Sequence, residues 1–492
     1  MLRVAMRVSE YFSLKADQPV LDFIDVHVTD DSPIYLDPGA IRTLPGDWGQ
    51  ECSRLLTTFF DSVLDSVKMG DNNRLKYLLS RLGEPNETHL GFSKGKSRGR
   101  GLGAHLGNQL ADKLRASRAA KTGLLSDLED TELFIQGIGD DIISDITTNI
   151  IRGMLIRYTQ GVARQYGIPV ASVPSGPVWD PYRLDWEEDF VDLPVVDASG
   201  KLLLIPKVLA RHSMHLSLGE YYRNYLSTKL QREELDKPNS KLVQILKNGE
   251  RHVTKFDIAQ AYGTSKPAIV DLSIPRADAF QEYKAHKREF PSRPLGHAEI
   301  SSLTKTAKPN FSKLLQETLE IPTGPEHADP YHHAIKNLLS AIFYPSLSQP
   351  EPEYKIHEGR KRIDIQYTNT ATDGFFAWLI RHMVPCKYIF VECKNYGTEV
   401  GNPELDQLSS RFSPLRGNVG ILACRSFKNK DLFLKRCRDT ALDHRGNVLV
   451  LDDQDLKKLV HDINLALSPE APPGVAAEDF PLLQKRFDEL HT

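Results

Sequence analysis

From residue 331 to residue 466, short runs of consecutive apolar residues alternate with stretches whose apolar residues recur every three or four positions. That alternation restricts the segment to strands interleaved with helices, hence to a sheet with helical cover. "YHHAIKNLLSAIF" reads as a helix with Ile335, Leu338, Leu339 and Ile342 as its apolar stripe. "RKRIDIQYTN" reads as a strand in which Ile363 and Ile365 face away from Asp364. "KYIFVECK", "NVGILAC" and "NVLVLDD" read as further strands. "ELDQLSSRF", "KDLFLKRCRDTALDH" and "QDLKKLVHDINLAL" read as the helices between and after them. The expected fold over residues 326–465 is an α/β domain with a mixed central sheet flanked by helices.

Within it, "KYIFVECKNY" (387–396) carries the most chemistry. Ile389, Phe390 and Val391 can be buried, and the run then ends on Glu392, Cys393 and Lys394. In open α/β sheets ligands collect beyond the carboxyl ends of strands. Glu392 and Lys394 are two apart, so a strand puts them on one face, about 7 Å from each other. A carboxylate there can hold a hard cation such as Mg²⁺, and an ammonium can orient water or stabilise charge on a phosphate. A second carboxylate is available from Asp364, and further upstream from Glu358.

Glu358, Asp364 within "RIDI", Glu392-Cys393-Lys394 and Gln407 on the next helix together resemble the PD-(D/E)xK nuclease superfamily, whose fold is called restriction-endonuclease-like. The resemblance covers about residues 330–455. It implies that Asp364 and Glu392 bind metal, with the backbone carbonyl of Cys393 as a further ligand, and that Lys394 is catalytic. It implies that Glu358 is the extra acidic residue of some members, and that Gln407 is the helix glutamine of the branch related to recombination exonucleases. That branch places Tyr four residues after the Gln, where this chain has Arg411. The Pro that often precedes the Asp is replaced by Ile363. The implied activity is a Mg²⁺-dependent deoxyribonuclease, with Mn²⁺ able to substitute. By fold-level analogy it would be the effector of a restriction or anti-phage defence system. Arg362, Asn395, Arg411 and Arg416 are candidate contacts to the DNA backbone, with Lys361 and Arg381 adding positive charge. Against this stand two plainer readings, surface ion pairs of little consequence and a catalytically silent nuclease fold that binds nucleic acid or assembles with a partner. Phe375, Phe376 and Trp378 could stack on bases, but core or dimer packing weighs more.

The remaining two-thirds reads as a mixed, largely helical α+β region. Residues 1–168 suggest one domain. Short strands are expected in "PVLDFIDVHV" and "IYLDP". From Cys52 to Leu82 the pattern is helical, with Leu55, Leu56, Phe59, Phe60, Val63, Leu64 and Val67 on one face, and a long helical stretch stops at Gly167. "GFSKGKSRGRGLG" has three residues between Gly91 and Gly95 where a P-loop needs four, which argues against nucleotide binding. Its basic residues could clasp phosphates. Residues 169–325 read as a middle region with a hairpin around Asp197–Gly200 and a stretch, "FDIAQAYGTSKPAIVDL", loosely like a helix-turn-helix. Asp140, Asp141 and Asp145 could form a metal site, but acidic residues near a helix start favour the macrodipole, and that reading weighs more. His332 and His333 read as surface or packing residues. Prolines 291, 294, 309, 322 and 325 mark a boundary, and residues 466–492 read as a linker and a short helix.

At 492 residues the chain is too long for one ordinary domain. A formal net charge of -3 confines any nucleic-acid contact to local basic patches. Five cysteines without a C-x-x-C pair argue against disulfides and cysteine zinc sites, and suit a reducing, cytoplasmic setting. No signal-peptide pattern and no membrane-length apolar run is visible. The expected partners are DNA and a second copy or a defence-system protein, with no membrane.

Overall fold

The computed structural model describes residues 6–91, 102–197, 200–356, 361–397 and 400–492. Two compact units result. One comprises residues up to 12, 26–205 and 209–292, and the other 13–25, 206–208 and 293–492.

The second unit is built on a five-stranded mixed sheet. Helix α1 (Ala328–Phe343) leads into strands β1 (Leu347–Ile356) and β2 (Lys361–Asn369). Helix α2 (Gly374–Arg381) precedes β3 (Tyr388–Lys394). Helix α3 (Asn402–Ser409), β4 (Val419–Cys424), α4 (Lys430–Leu442), β5 (Asn447–Leu451) and α5 (Asp453–Ala466) follow, and α6 (Pro481–Glu489) closes the unit. The strands lie in chain order, β1-β2-β3-β4-β5. The first three are antiparallel, and β3, β4 and β5 are parallel. Both parallel connections carry a helix, as such crossovers require. All of β4 and β5, and β3 up to Cys393, are buried, which is why they read as unbroken apolar runs.

The α1 stripe of Ile335, Leu338, Leu339 and Ile342 is buried in this core, as its spacing predicts. Phe375 and Phe376 of α2 are buried there too, so these aromatic rings pack the core and are not free to stack on bases. Gly374 has φ 69°, and a Cβ on it would lie 1.9 Å from the Glu478 carbonyl oxygen. Two sequence expectations fail here. The domain does not end at 465: the tail closes with the expected short helix, α6, but Phe480, Leu482, Leu483, Phe487 and Leu490 complete the same core. Arg486 also pairs with Asp455 of α5 at 3.1 Å. "PVLDFIDVHV" is not a continuous strand: among the described residues it makes isolated bridges, Phe23 to Pro206 and His27 to Arg7, and between them the Gln18 side chain holds the backbone. Its Nε2 donates to the Phe23 carbonyl (2.8 Å) and its Oε1 accepts from the Asp25 N–H (2.7 Å).

In the other unit, helix Gly46–Met69 buries the predicted apolar face and stops at left-handed Gly70. The long helical stretch is three helices, Asp130–Phe134, Asp140–Ile150 and Arg152–Tyr166, the last ending at left-handed Gly167. Gly137, with φ 72°, interrupts the run that periodicity alone would continue. Asp140 and Asp141 occupy a first helical turn, as expected. The hairpin pairs Val195–Val196 with Gly200–Lys201. The helix-turn-helix stretch forms helices Lys255–Tyr262 and Lys266–Ser273. No break falls at 168. Ile156 packs with Leu193 and Leu203, so residues on both sides share one core. No helix among the described residues is long and apolar enough to cross a membrane.

Candidate metal and catalytic centre

The β2–β3 ladder runs from Thr368↔Tyr388 to Ile365↔Val391 and stops, while β3 stays paired with β4 as far as Lys394↔Cys424. The strands therefore fork where the sequence places its charged residues. Asp364 is the first β2 residue past the last pair. Ile363 and Ile365 are buried, and the Asp364 carboxylate instead accepts the Cys393 N–H at 2.8 Å through Oδ2.

His332 of α1 meets this carboxylate. Its Nε2 lies 3.5 Å from Asp364 Oδ2 and 3.2 Å from the Cys393 carbonyl oxygen. Ligand atoms of His332, Asp364 and Cys393 fall within 4.8 Å of one another. The Cys393 thiol is a poor ligand here. Burial first, then Asp364 and Glu392, push it well above the ordinary thiol range, so it keeps its proton. Its carbonyl oxygen is the donor it can offer.

Glu392 is fully buried. Its Oε1 accepts from Lys394 Nζ at 2.8 Å and from Gln407 Nε2, and Gln407 Oε1 accepts from Lys394 at 3.3 Å. Gln407 is held by α3, whose start is fixed by the Gly401 N–H donating to the Glu404 side chain at 2.8 Å. Glu392 Oε2 is buried and has no hydrogen-bond partner among the described residues. Leaving such an atom unsatisfied costs about 1–3 kcal/mol, more when charged, and marks a place where a ligand is wanted. Burial, and then the nearby Asp364, raise the Glu392 carboxyl above its ordinary range against the pull of Lys394. Burial works against the Lys394 ammonium, but Glu392 outweighs it and the proton is held above the ordinary lysine range. The Asp364 carboxylate, the His332 imidazole and the Cys393 carbonyl lie together, and the Glu392 carboxylate, which feels the charge of Asp364, adds a buried oxygen; these donor types fit a divalent cation.

Asp364, Glu392, the Cys393 carbonyl, Lys394 and Gln407 thus gather at one fork. Arg411 follows α3 and lies close enough to Glu392 to favour its ionised form. Arg416 donates to the Arg411 carbonyl at 3.0 Å. Asn395 does not line the site. Its Nδ2 donates to the carbonyls of Pro322 (2.9 Å) and Gly324 (3.2 Å) and its Oδ1 accepts from Arg425, so it anchors a loop and has no donor left for DNA. Glu358 lies outside the described residues, as do the side chains of Lys361 and Arg362. His332 is the residue that sequence reasoning missed. Its signal was helical phase, since 332, 335, 336 and 339 share the face of α1 that meets the sheet.

Residues 13–217 match the model of a domain of unknown function, DUF8370. That match ends before the five-stranded sheet begins. No curated protein and no solved structure matches the chain.

Proposed function

We propose that the second unit is a metal-dependent nuclease of the restriction-endonuclease-like, PD-(D/E)xK type that hydrolyses DNA phosphodiester bonds. The observation that carries this reading is the buried Oε2 of Glu392, without a hydrogen-bond partner among the described residues, on the strand end where Asp364 holds the Cys393 N–H and Lys394 bonds Glu392 Oε1. The mixed five-stranded sheet flanked by helices is in keeping with it.

Asp364, Glu392, His332 and the Cys393 carbonyl would hold the cation, which when bound polarises a phosphate and lowers the pKa of water. In the net reaction the water oxygen bonds to phosphorus and the bond to the leaving sugar oxygen breaks. One proton leaves the water, and one reaches the leaving oxygen. Lys394 keeps its proton, so it serves as a fixed positive charge facing the phosphoryl group, not as a base. Glu392 and Gln407 hold it in place. By analogy with restriction and anti-phage nucleases, the other unit would recognise a substrate, a partner or a trigger.

The direct test is supercoiled plasmid incubated with the full chain and Mg²⁺, Mn²⁺ or EDTA. Nicking with either metal and none with EDTA is expected. Binding without cutting in any metal would indicate a silent nuclease fold instead.

An imidazole in an otherwise oxygen shell suits Mn²⁺ better than Mg²⁺. Wild-type protein should cut faster with Mn²⁺. His332→Ala should weaken Mn²⁺ binding, read by calorimetry, by about 10-fold or more while narrowing that preference. An unchanged Mn²⁺ affinity would remove His332 from the shell.

Acid should also inactivate the enzyme early. A carboxyl must lose its proton to take a cation. Because the Glu392 value is raised, its protonated form persists to higher pH than in a free glutamate. The acid limb of the pH–rate profile should therefore lie above the ordinary value of about 4.3. It should move to lower pH as Mn²⁺ is raised. A limb at the ordinary value, indifferent to Mn²⁺, would contradict this.

A further inference from the structure

Arg411 is 9% exposed, and its Nε is buried without a hydrogen-bond partner. An arginine offers five N–H donors. Among the described residues the Arg411 side chain donates no hydrogen bond and forms no ion pair. Its backbone is well fixed, with its N–H on the Leu408 carbonyl (2.9 Å) and its carbonyl taken by Arg416 (3.0 Å). A structural arginine in the same unit looks different. Arg425 pairs with Asp453 at 3.1 Å and donates to the carbonyls of Ile321 (2.7 Å) and Leu319 (3.1 Å).

Burying a guanidinium without acceptors is unfavourable, and the nearest explanation, pairing with Glu392, is not what occurs. Glu392 feels the charge of Arg411, yet its Oε1 is taken by Lys394 and Gln407, and its Oε2 has no hydrogen bond. Two opposite charges thus stand in one site, each with an orphaned polar atom, and do not bond to each other. A cation would satisfy the carboxylate oxygen, and an anion would satisfy the guanidinium. A metal-associated phosphate diester is a single ligand that supplies both.

We propose that Arg411 is a catalytic phosphate clamp, its guanidinium holding a non-bridging oxygen of the scissile phosphodiester. This rests on the nuclease reading above. The clamp holds the phosphate in the ground state, and holds it more tightly as charge builds while the water oxygen bonds to phosphorus and the leaving oxygen departs. The planar, two-pronged donor geometry is what a phosphate matches and what a lysine does not reproduce. Arg416 is a positioning residue, acting through the Arg411 carbonyl.

The test compares full-length wild type, Arg411→Ala, Arg411→Met, Arg411→Lys and Asp364→Asn. Plasmid cleavage is followed in Mn²⁺, and duplex DNA binding in Ca²⁺. Arg411→Ala and Arg411→Met should lose about 100-fold in kcat with KM changed only a few-fold. Arg411→Lys should recover less than about a tenth of the wild-type rate. All three should keep the wild-type melting temperature, and Asp364→Asn should bind DNA without cutting it. Wild-type kcat in Arg411→Ala beside an inactive Asp364→Asn would overturn the clamp and leave the nuclease reading standing. Cutting by Asp364→Asn at the wild-type rate, or no cutting by wild type, would overturn the nuclease reading and the clamp with it. Unfolding of both Arg411→Ala and Arg411→Met, which keeps the apolar stem, would make Arg411 structural and overturn the clamp alone.

Discussion

Asp364→Asn is expected to reduce metal-dependent DNA cleavage by about 10³-fold or more while leaving the fold intact. The substitution suits the geometry. The Asp364 carboxylate accepts the Cys393 N–H at 2.8 Å, and an amide oxygen at the same place can still do so. What disappears is the charge facing His332 and Glu392. Its loss removes an anionic ligand from the shell and the repulsion that makes a cation welcome there. Lys394→Ala should also lose about 10²–10³-fold. It is the less clean experiment, because it leaves the buried Glu392 with Gln407 as its one hydrogen-bond donor among the described residues. The measurement is nicked and linear plasmid formed per unit time in Mn²⁺, with amide exchange in β3 and β5 as the control for folding. Cleavage by Asp364→Asn at the wild-type rate would remove the metal site from the reaction.

The parts of this site that were legible in the sequence are those held by regular backbone. Glu392 and Lys394 share a face because β3 is extended. Ile363 and Ile365 being buried leaves Asp364 on the other side of β2. A period of two fixes such relations without any tertiary information. Gln407 was legible because helix α3 returns the chain to β3 between two parallel strands. His332 was not legible as a site residue, since the stripe read in α1 is Ile335, Leu338, Leu339 and Ile342 and the histidine lies ahead of it. Which end of a helix meets which strand is set by packing across the sheet, and helical phase says nothing about that. Asn395 shows the reverse error. Its position next to the motif suggested a substrate contact, but its amide is held by the Pro322 and Gly324 carbonyls, and no local pattern signals a side chain bound to a distant backbone.

The same limit governs the fold. The strands and helices between residues 331 and 466 could be placed because burial on both faces leaves unbroken apolar runs. The segment after residue 18 carries a similar apolar pattern yet makes only isolated bridges among the described residues, and at its middle Gln18 takes the Phe23 carbonyl and the Asp25 N–H. Composition misled most at the C-terminus. "LSPEAPPGVAAEDF" has the residues of a linker, and its prolines and glycine do set turns, but it delivers Phe480 to the core.

Phe480→Ala is therefore expected to destabilise the second unit by about 3–5 kcal/mol, the cost of emptying a buried aromatic site. Phe480 is 4% exposed and packs edge-on against Phe343 of α1 at 5.2 Å and against Phe376 of α2 at 5.7 Å. Gly374, pressed against the Glu478 backbone two residues before Phe480, already lacks room for a Cβ, so this part of the unit is tightly packed. The chain holds two units, so a single melting temperature is a blunt measure. Amide exchange in β3 and β5 reports the second unit by itself, and should speed up by about 10²–10³-fold where exchange follows its global opening. Val475→Ala, at a 43%-exposed position in the same tail, should change exchange little. Equal, small effects of the two substitutions would return the tail to the role of a linker. A large effect confined to Phe480→Ala would establish it as part of the core. Phe343 sits at the far end of the helix that carries His332, so loosening its contact should also blur the placement of the imidazole and lower the affinity for Mn²⁺.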